Sequence, residues 1–370
     1  MDRKVSIITL QCVSNYGTQL QAYSTQEKFR QFFKNVSLIN YKRSDTFGVG
    51  LLKQYSKGSI LRALFFLPTM FLWKLRFNKF KKNYLNVEHP IYVKESDFLS
   101  YQCISDVYIT GSDQVWNSGW NKGISKMMYL SFVPDSIPKY GYSVSFGREH
   151  LPDNEIIETK NWINRYRIIS ARELSGVDIL KNQYDYKKCL FTVDPTLAFS
   201  GNWWRNKVKS KKKIQADYIL VYNLSKNKEM NEYVKKLSNR LNLKIVRLCT
   251  RLDQIVQCGK PIVVPDILDF IYWIDNARYV VTDSFHATAF SMNLETEPIC
   301  VLPRKYSSRI HDFLVLLGET NRELLNFNDF DIINRKVDFN KVSEILSNQR
   351  RNTDEFIKKI SEDIEKFYEK

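Results

Sequence analysis

The chain has 370 residues, more than one hydrophobic core usually serves, so its length predicts two domains. Hydrophobic residues make up 44% of it, which excludes a disordered chain. The formal net charge of +16 favours anionic partners. No helix-turn-helix, zinc-finger or RNA-binding signature accompanies this charge, so we expect no nucleic acid partner.

The N-terminus and the cysteines argue against export and against a structural metal site. The opening sequence MDRKVSIITLQ has an acidic residue and only a short apolar run, which predicts a first strand and a cytoplasmic protein rather than a secretory signal. The six cysteines are scattered, with no C-x-x-C pair and no histidine at ligand spacing. We therefore expect reduced thiols and no bound metal.

In chain order, the first half alternates predicted strands with polar turns. Strands are predicted at residues 4–11, 36–40, 104–111, 140–146, 167–171 and 191–197. After the first strand, a loop that contains Asn15, Tyr16 and Gly17 precedes a predicted helix at residues 18–33. A strand, loop and helix in this order can offer backbone amides to a phosphate or a sugar.

A basic and apolar insertion lies at about residues 46–87. It contains eight Lys or Arg and no Asp or Glu. Its centre, LRALFFLPTMFLWKLRF at residues 61–77, is too short to cross a bilayer and is interrupted by Pro68. Two interpretations stay open. The insertion is either a peripheral element on the inner face of the membrane or a core helix with solvated basic residues.

The sequence GSDQVWN at residues 111–117 follows a predicted buried strand. Its polar side chains suit contacts to a polyhydroxylated ligand, and Trp116 offers a face on which a sugar can stack. The polar members are Ser112, Asp113, Gln114 and Asn117. Alternatively, the segment is a capped turn with a buried tryptophan. Later strands end in Arg172 and Glu173 and in Asp194, which places further charges at strand ends.

A basic connector, KVKSKKK at residues 207–213, precedes a second series of strands and helices. Its strands are predicted at residues 218–223, 244–248, 279–282 and 298–302, and its helices at 228–241, 266–277 and 307–317, followed by two charged helices from about residue 340. We predict an N-terminal α/β domain at residues 1–206, a C-terminal α/β domain at 214–335 and C-terminal helices at 336–370. This alternation predicts two Rossmann-like domains with parallel sheets that face a cleft.

The stretch YVVTDSFHATAFSM at residues 279–292 predicts a buried strand, a tight turn and a helix. Asp283 and Ser284 are both competent helix caps. The crevice beyond the carboxyl ends of parallel strands, beside helix N-termini, is the usual place for an anionic ligand. His286 would lie in that crevice. The alternative is a core histidine bonded to a backbone carbonyl.

Five segments, in order, resemble motifs of the polysaccharide pyruvyl transferases. They are NYGTQLQAY at 15–23, GSDQVWN at 111–117, SARE at 170–173, DPT at 194–196 and TDSFHATAFS at 282–291. The family is similar in architecture to the two-domain GT-B glycosyltransferases. It moves the pyruvyl group of phosphoenolpyruvate onto sugar hydroxyls, which leaves a ketal and releases phosphate. The resemblance thus implies phosphoenolpyruvate as donor, a surface polysaccharide or its lipid-linked precursor as acceptor, and no cofactor.

One departure from the family pattern concerns the donor. Several members carry an arginine two residues before the histidine, where this chain has Ser284. Other cations must then hold the carboxylate or phosphate, and Arg172, Arg309 and Arg304 are the nearest candidates by sequence context. Bidentate arginine pairing suits both groups.

The reaction that the resemblance implies needs an acid, cations for phosphate and a base. We expect His286 to act as the acid or as a cation at the phosphate, with Asp283 as the neighbour that tunes it. We expect Asp113 to orient or deprotonate the acceptor hydroxyl. Two other functions stay open, namely a GT-B glycosyltransferase that uses a nucleotide sugar and a non-catalytic glycan-binding member.

Overall fold

The computed structural model describes residues 1–208, 217–303 and 308–369, which form two compact units. The first unit comprises Met1–Gln54, Lys81–Ala198 and Gln349–Lys370, and the second comprises Tyr55–Phe80 and Phe199–Asn348. These units divide the chain differently from the predicted domains, since part of the insertion belongs to the second unit. Residues 209–213 of the predicted connector lie outside the described residues.

The first unit is built on a six-stranded sheet. Its strands are β1 (Lys4–Ile8), β2 (Asn35–Leu38), β3 (Val107–Thr110), β4 (Lys139–Val144), β5 (Ile168–Ala171) and β6 (Cys189–Phe191). All neighbours are parallel, in the order β2-β1-β3-β4-β5-β6. Strands such as β3 are buried along their whole length, as expected for a parallel sheet covered on both faces.

The second unit contains a five-stranded parallel sheet. Its strands are β7 (Tyr218–Tyr222), β8 (Lys244–Cys249), β9 (Lys260–Val263), β10 (Tyr279–Thr282) and β11 (Glu297–Cys300), in the order β11-β10-β7-β8-β9. The predicted α/β fold with two parallel sheets is therefore confirmed. The sequence did not predict β9, which carries Pro261 and lies at the edge of the sheet, where proline is tolerated.

Twelve α-helices occur in the described residues. They are α1 (Tyr16–Arg30), α2 (Gly48–Ser56), α3 (Ile60–Tyr84), α4 (Ser118–Asn121), α5 (Asp153–Ile163), α6 (Leu174–Asp178), α7 (Gly201–Lys207), α8 (Lys228–Leu241), α9 (Asp269–Asp275), α10 (Phe285–Asn293), α11 (Ser308–Leu317) and α12 (Phe339–Tyr368). Among the described residues, none of these helices is both long and apolar enough to span a bilayer.

The C-terminal region differs from the prediction of two charged helices, because α12 is a single helix of 30 residues. No glycine or proline interrupts its sequence, so no local signal ends it early. Within the first unit it buries Phe356, Ile357, Ile360 and Ile364 on one face. Phe356 stacks on Tyr142 of β4, with ring centroids 6.2 Å apart.

Candidate functional site

Asp113 lies just beyond the carboxyl end of β3 and is almost fully buried. Its Oδ2 accepts a hydrogen bond from Thr18 Oγ1 at 2.6 Å, and its Oδ1 accepts one from the backbone N–H of Gln114 at 2.9 Å. Arg172 Nη2 donates to the same Oδ1 at 3.2 Å. The φ of Asp113 is +69°, a left-handed conformation that aspartate tolerates better than most residues. Donors from three segments thus fix this carboxylate in one orientation.

Arg172, which follows β5, joins three carboxylates. Besides Asp113, its Nη1 donates to Asp194 Oδ2 at 2.6 Å and its Nε to Glu173 Oε1 at 3.3 Å. The Arg172 side chain is 0% exposed. Burial by itself would lower the pKa of Arg172, but the three carboxylates outweigh it and raise the pKa above its usual value. We call these four residues, Asp113, Arg172, Glu173 and Asp194, the carboxylate cluster.

The carboxylate cluster changes the role expected for Arg172. We predicted that its guanidinium binds the donor's phosphate or carboxylate, but in the structure it is buried and faces three acidic side chains. A buried guanidinium that already pairs with carboxylates holds them in place. We therefore assign Arg172 the positioning of Asp113 in place of anion binding.

Three further residues belong to this site: Thr18, which the sequence did not single out, and Glu173 and Asp194, which it predicted only as charges at strand ends. Each belongs to one of the five motifs, which was the available signal. The predicted strand at residues 191–197 is wrong in its bounds, because β6 ends at Phe191. Asp194 instead caps a short 3₁₀ turn, accepting from the Thr196 amide at 2.9 Å and from its hydroxyl at 2.6 Å.

Trp116 does not offer a stacking face for a sugar, which corrects the prediction. It is 1% exposed and stacks on Tyr129, with ring centroids 5.0 Å apart and an interplanar angle of 6°. Its Nε1 donates to the Met128 carbonyl at 3.0 Å. The alternative of a capped turn with a buried tryptophan describes this segment.

The side-chain amides of Gln114 and Asn117, in the same segment, form a hydrogen bond with each other. Asn117 Nδ2 donates to Gln114 Oε1, and Asn117 Oδ1 caps α4 by accepting from the Trp120 amide at 3.0 Å. Both side chains lie against Gly147, where a Cβ would come within 2.5 Å of Asn117 Nδ2 and 2.7 Å of Gln114 Oε1. Gln114 and Asn117 thus shape the turn that carries Asp113.

The remaining predicted residues of the first unit surround the N-terminus of α1. Asn15 caps this helix, since its Oδ1 accepts from the Thr18 amide at 3.3 Å, and Tyr16 is buried. The Ser112 carbonyl accepts from Thr9 Oγ1 at 2.9 Å. The Ser112 hydroxyl is buried, and among the residues that the structure describes it has no hydrogen-bond partner.

His286 lies in the first turn of α10, directly after β10, so the predicted strand, turn and helix are confirmed. Ser284 caps α10 by accepting from the Ala287 amide at 3.4 Å. His286 is 7% exposed, and its ring meets the Phe285 ring edge-on with centroids 5.3 Å apart. The backbone therefore places this histidine at a helix N-terminus.

Asp283 does not act as the expected neighbour of His286. Its carboxylate accepts hydrogen bonds from the Leu224 amide at 2.7 Å, from the Ser225 amide at 3.0 Å and from the Ser225 hydroxyl. Among the described contacts, no hydrogen bond joins it to His286. Asp283 thus fixes the loop after β7, and its catalytic role stays a prediction.

Arg309 lies in the first turn of α11, and its guanidinium carbon is 5.9 Å from the centroid of the Phe285 ring. Arg309 and His286 therefore share Phe285 as a neighbour. Arg304, the other candidate cation, lies outside the described residues. In the described part of the chain, no group of three or more His, Cys, Asp or Glu is arranged to hold a metal ion.

Comparison with known proteins gives one family and a set of structures. The sequence model of the family described as "Polysaccharide pyruvyl transferase" matches residues 15–304. No curated protein matches the chain in sequence.

Similar solved structures include UDP-GlcNAc 2-epimerases and a UDP-glucosyltransferase. The UDP-N-acetylglucosamine 2-epimerase from Rickettsia bellii has a TM-score of 0.55 at 11% identity, with 98% of both chains covered. The UDP-GlcNAc 2-epimerase of Methanocaldococcus jannaschii, in complex with UDP-GlcNAc and UDP, has a TM-score of 0.54 at 13% identity, with 96% of this chain and 99% of that chain covered. A UDP-glucosyltransferase from Polygonum tinctorium has a TM-score of 0.51 at 7% identity, with 99% of both chains covered. These similarities confirm the predicted GT-B-like fold.

Proposed function

Because the chain belongs to the polysaccharide pyruvyl transferase family, we propose that it transfers the pyruvyl group of phosphoenolpyruvate to hydroxyls of a sugar. The acceptor is a surface polysaccharide or its lipid-linked precursor. One observation carries this proposal. All five motifs lie at or just beyond the carboxyl end of a strand of their own sheet, namely β1, β3, β5, β6 and β10. In parallel α/β sheets this is the edge where ligands bind.

The reaction has a defined balance of bonds and protons. Protonation of the terminal carbon of the enol makes C2 electrophilic, and a sugar hydroxyl oxygen bonds to C2. A second hydroxyl oxygen then bonds to C2 as the bond from C2 to the phosphate oxygen breaks. The two hydroxyls lose two protons; one replaces the proton given to the terminal carbon, and the other leaves with phosphate.

In this proposal His286 acts on the donor, phosphoenolpyruvate. Imidazole is the side chain whose charge changes nearest neutral pH, so it can give a proton to the enol or stand as a cation beside phosphate. The N-terminus of α10 adds backbone amides, which favour an anion. Arg309, next to Phe285, is the cation that we propose in place of the arginine that other members carry.

Asp113 serves the acceptor hydroxyl in the same proposal. Its carboxylate is held by Thr18, by the Gln114 amide and by Arg172, so it needs no reorganisation when a hydroxyl arrives. The carboxylate cluster contains three acids and one guanidinium.

A survey of donors tests the proposal. The purified protein is incubated with sugar acceptors and either phosphoenolpyruvate or nucleotide sugars, and released phosphate, released nucleotide and product mass are measured. We expect phosphate release from phosphoenolpyruvate that depends on acceptor, with a pyruvate ketal in the product.

A nucleotide-sugar glycosyltransferase is the second candidate, because the fold is similar to UDP-sugar enzymes and the chain has Ser284 where other family members carry arginine. Release of nucleotide would favour that candidate. Sugar binding without turnover of any donor would favour a non-catalytic glycan-binding member. Either result would contradict pyruvyl transfer.

A further inference from the structure

Helix α3 (Ile60–Tyr84) has two apolar faces, and one of them packs within the second unit. Its inner face consists of buried residues at helical spacing, namely Phe66, Thr69, Trp73, Phe77 and Phe80. Trp73 Nε1 donates to the Thr250 carbonyl at 2.6 Å, and Thr69 Oγ1 accepts from the Leu252 amide at 3.2 Å. These contacts fix the rotation of the helix about its axis.

The opposite side of α3 exposes large hydrophobic residues. This outer face consists of Ile60, Leu61, Leu64, Phe65, Phe71 and Leu75, which are 51% to 81% exposed. At 100° per residue these six positions span about 140° of the helix surface, opposite the inner face. Soluble proteins rarely expose so many large apolar side chains side by side, and such patches mark a surface that binds a partner or a membrane.

The charges around the outer face are positive. Residues 46–87 contain no Asp or Glu, while Lys57, Arg62 and Lys74 are exposed. Arg76 Nη1 and Lys79 Nζ both pair with Asp266, at 2.8 and 2.9 Å, so one carboxylate is shared between two cations.

The structure also refines which cations can reach a membrane. Burial lowers the pKa of Lys81, and its side chain is only partly exposed, so Lys81 is not counted among the exposed cations. Arg62, Lys74 and Lys82 are the exposed cations on α3 that have no carboxylate within ion-pair distance in the described part of the chain. At 100° per residue, Lys74 lies beside the outer face and Lys82 within it, whereas Arg62 lies on the opposite side of the helix.

We propose that the outer face of α3 docks on an anionic lipid bilayer, with its Leu, Ile and Phe side chains inserted among the acyl chains and its cations at the headgroups. The positive charge around the outer face favours an anionic bilayer as its binding partner. A second copy of the chain would bring the same cations against each other, whereas anionic headgroups complement them. The inner face anchors the helix to the protein, so the outer face is available for lipid. This docking requires no particular reaction at the five motifs.

Co-sedimentation with vesicles tests the proposal. The full-length protein is mixed with vesicles of phosphatidylcholine alone or with phosphatidylglycerol, at low and physiological salt. The apolar variant is Leu64→Ser/Phe65→Ser/Phe71→Ser. Its matched control is Leu99→Ser/Ile157→Ser/Leu325→Ser, in which the three residues are at least 75% exposed elsewhere on the surface.

We expect the apolar variant to lose more than about tenfold in its partition onto anionic vesicles, since each buried aliphatic or aromatic group contributes substantially to insertion. The control triple should bind like the wild type. Replacing Lys74 and Lys82 by Gln should weaken binding at low salt by about fivefold per cation. The matched control for charge is Lys187→Gln/Lys358→Gln, which removes two exposed lysines of the first unit.

Circular dichroism melting curves check that all variants remain folded. Equal sedimentation of the apolar variant and its control would overturn the proposal, as would the absence of binding by the wild type. Equally strong binding to neutral vesicles would overturn the role of the cations. If sedimentation velocity shows a wild-type dimer that the apolar variant dissociates, and no lipid binding occurs, the outer face is a self-association surface and the proposal is wrong.

Discussion

The candidate residues of the two units are held in place by different interactions. Asp113 of the first unit is fixed by charged and polar side chains that converge from other segments, with Arg172 as the central residue. His286 of the second unit is placed by local backbone structure, namely β10, a serine cap and the first turn of α10. The position of Asp113 therefore depends on long-range ion pairs, whereas the position of His286 depends on the start of a helix.

This difference has consequences for stability and for chemistry. Ion pairs in a buried cluster are costly to break, because removal of one partner leaves the other charges without compensation. A helix start offers amides to an anion and is little affected by the side chain at its second position. We therefore expect damage to the first unit to affect both folding and acceptor chemistry, and damage at His286 to affect donor chemistry alone.

The largest expected effect is on stability and follows from Arg172→Met. This change leaves three buried carboxylates without their guanidinium, so we expect a loss of about 3–5 kcal/mol in the free energy of unfolding. Urea titration followed by circular dichroism measures it. The control is Arg30→Met, which removes a surface pair with Glu27 (2.9 Å) and should cost less than about 1 kcal/mol. Equal losses for the two variants would contradict the role of the carboxylate cluster.

The next effect concerns turnover at the second unit. We expect His286→Ala to lower the rate of phosphate release from phosphoenolpyruvate by at least about a hundredfold, the usual size for an acid-base group, with an unchanged unfolding midpoint. His311→Ala is the control, since that histidine is half exposed and its Nδ1 is 2.7 Å from Glu323 Oε1. A folded His286→Ala protein with the wild-type rate would remove histidine from the mechanism.

The same contrast explains what the sequence could predict. The strand, turn and helix around His286 followed from a β-branched run and from cap residues within a few positions, and α8 begins and ends where predicted because its apolar spacing is regular. Local signals of this kind are sufficient where the backbone itself places a residue.

Contacts between residues far apart in the chain could not be predicted from the sequence. The partners of Arg172 follow β3 and β6, and only the order of strands in the sheet brings these ends together. The same applies to Trp116, whose orientation depends on Tyr129, and to Asp283, whose partners belong to the loop after β7. The five motifs therefore identified the segments of the site, but they did not predict which side chains within these segments contact each other.

Asp113→Asn separates acceptor chemistry from donor binding. The amide keeps the shape of the side chain but cannot take a proton, so we expect turnover to fall by about a hundredfold while phosphoenolpyruvate still binds. Calorimetric titration with phosphoenolpyruvate measures the binding, and Asp45→Asn, a carboxylate paired with Arg43 and Lys122, is the control. Loss of donor binding in Asp113→Asn would place Asp113 on the donor side instead.

The smallest expected effect tests how Asp113 is oriented. Thr18→Val removes the hydroxyl that donates to Asp113 Oδ2 at 2.6 Å but keeps the shape of the side chain. Arg172 and the Gln114 amide still hold Oδ1, so the carboxylate gains rotational freedom without losing its charge partner. We expect kcat/KM for the acceptor to fall by about tenfold, with the KM for phosphoenolpyruvate unchanged.

Thr25→Val on the same helix provides the matched control for this change. Thr25 is equally buried, and its hydroxyl donates to the Gln21 carbonyl at 2.9 Å within α1, so its removal alters α1 without touching Asp113. If the two variants lower kcat/KM equally, the effect of Thr18→Val comes from the helix and the hydroxyl does not orient Asp113. If only Thr18→Val lowers it, the position of the Asp113 carboxylate, and not merely its presence, limits the reaction of the acceptor.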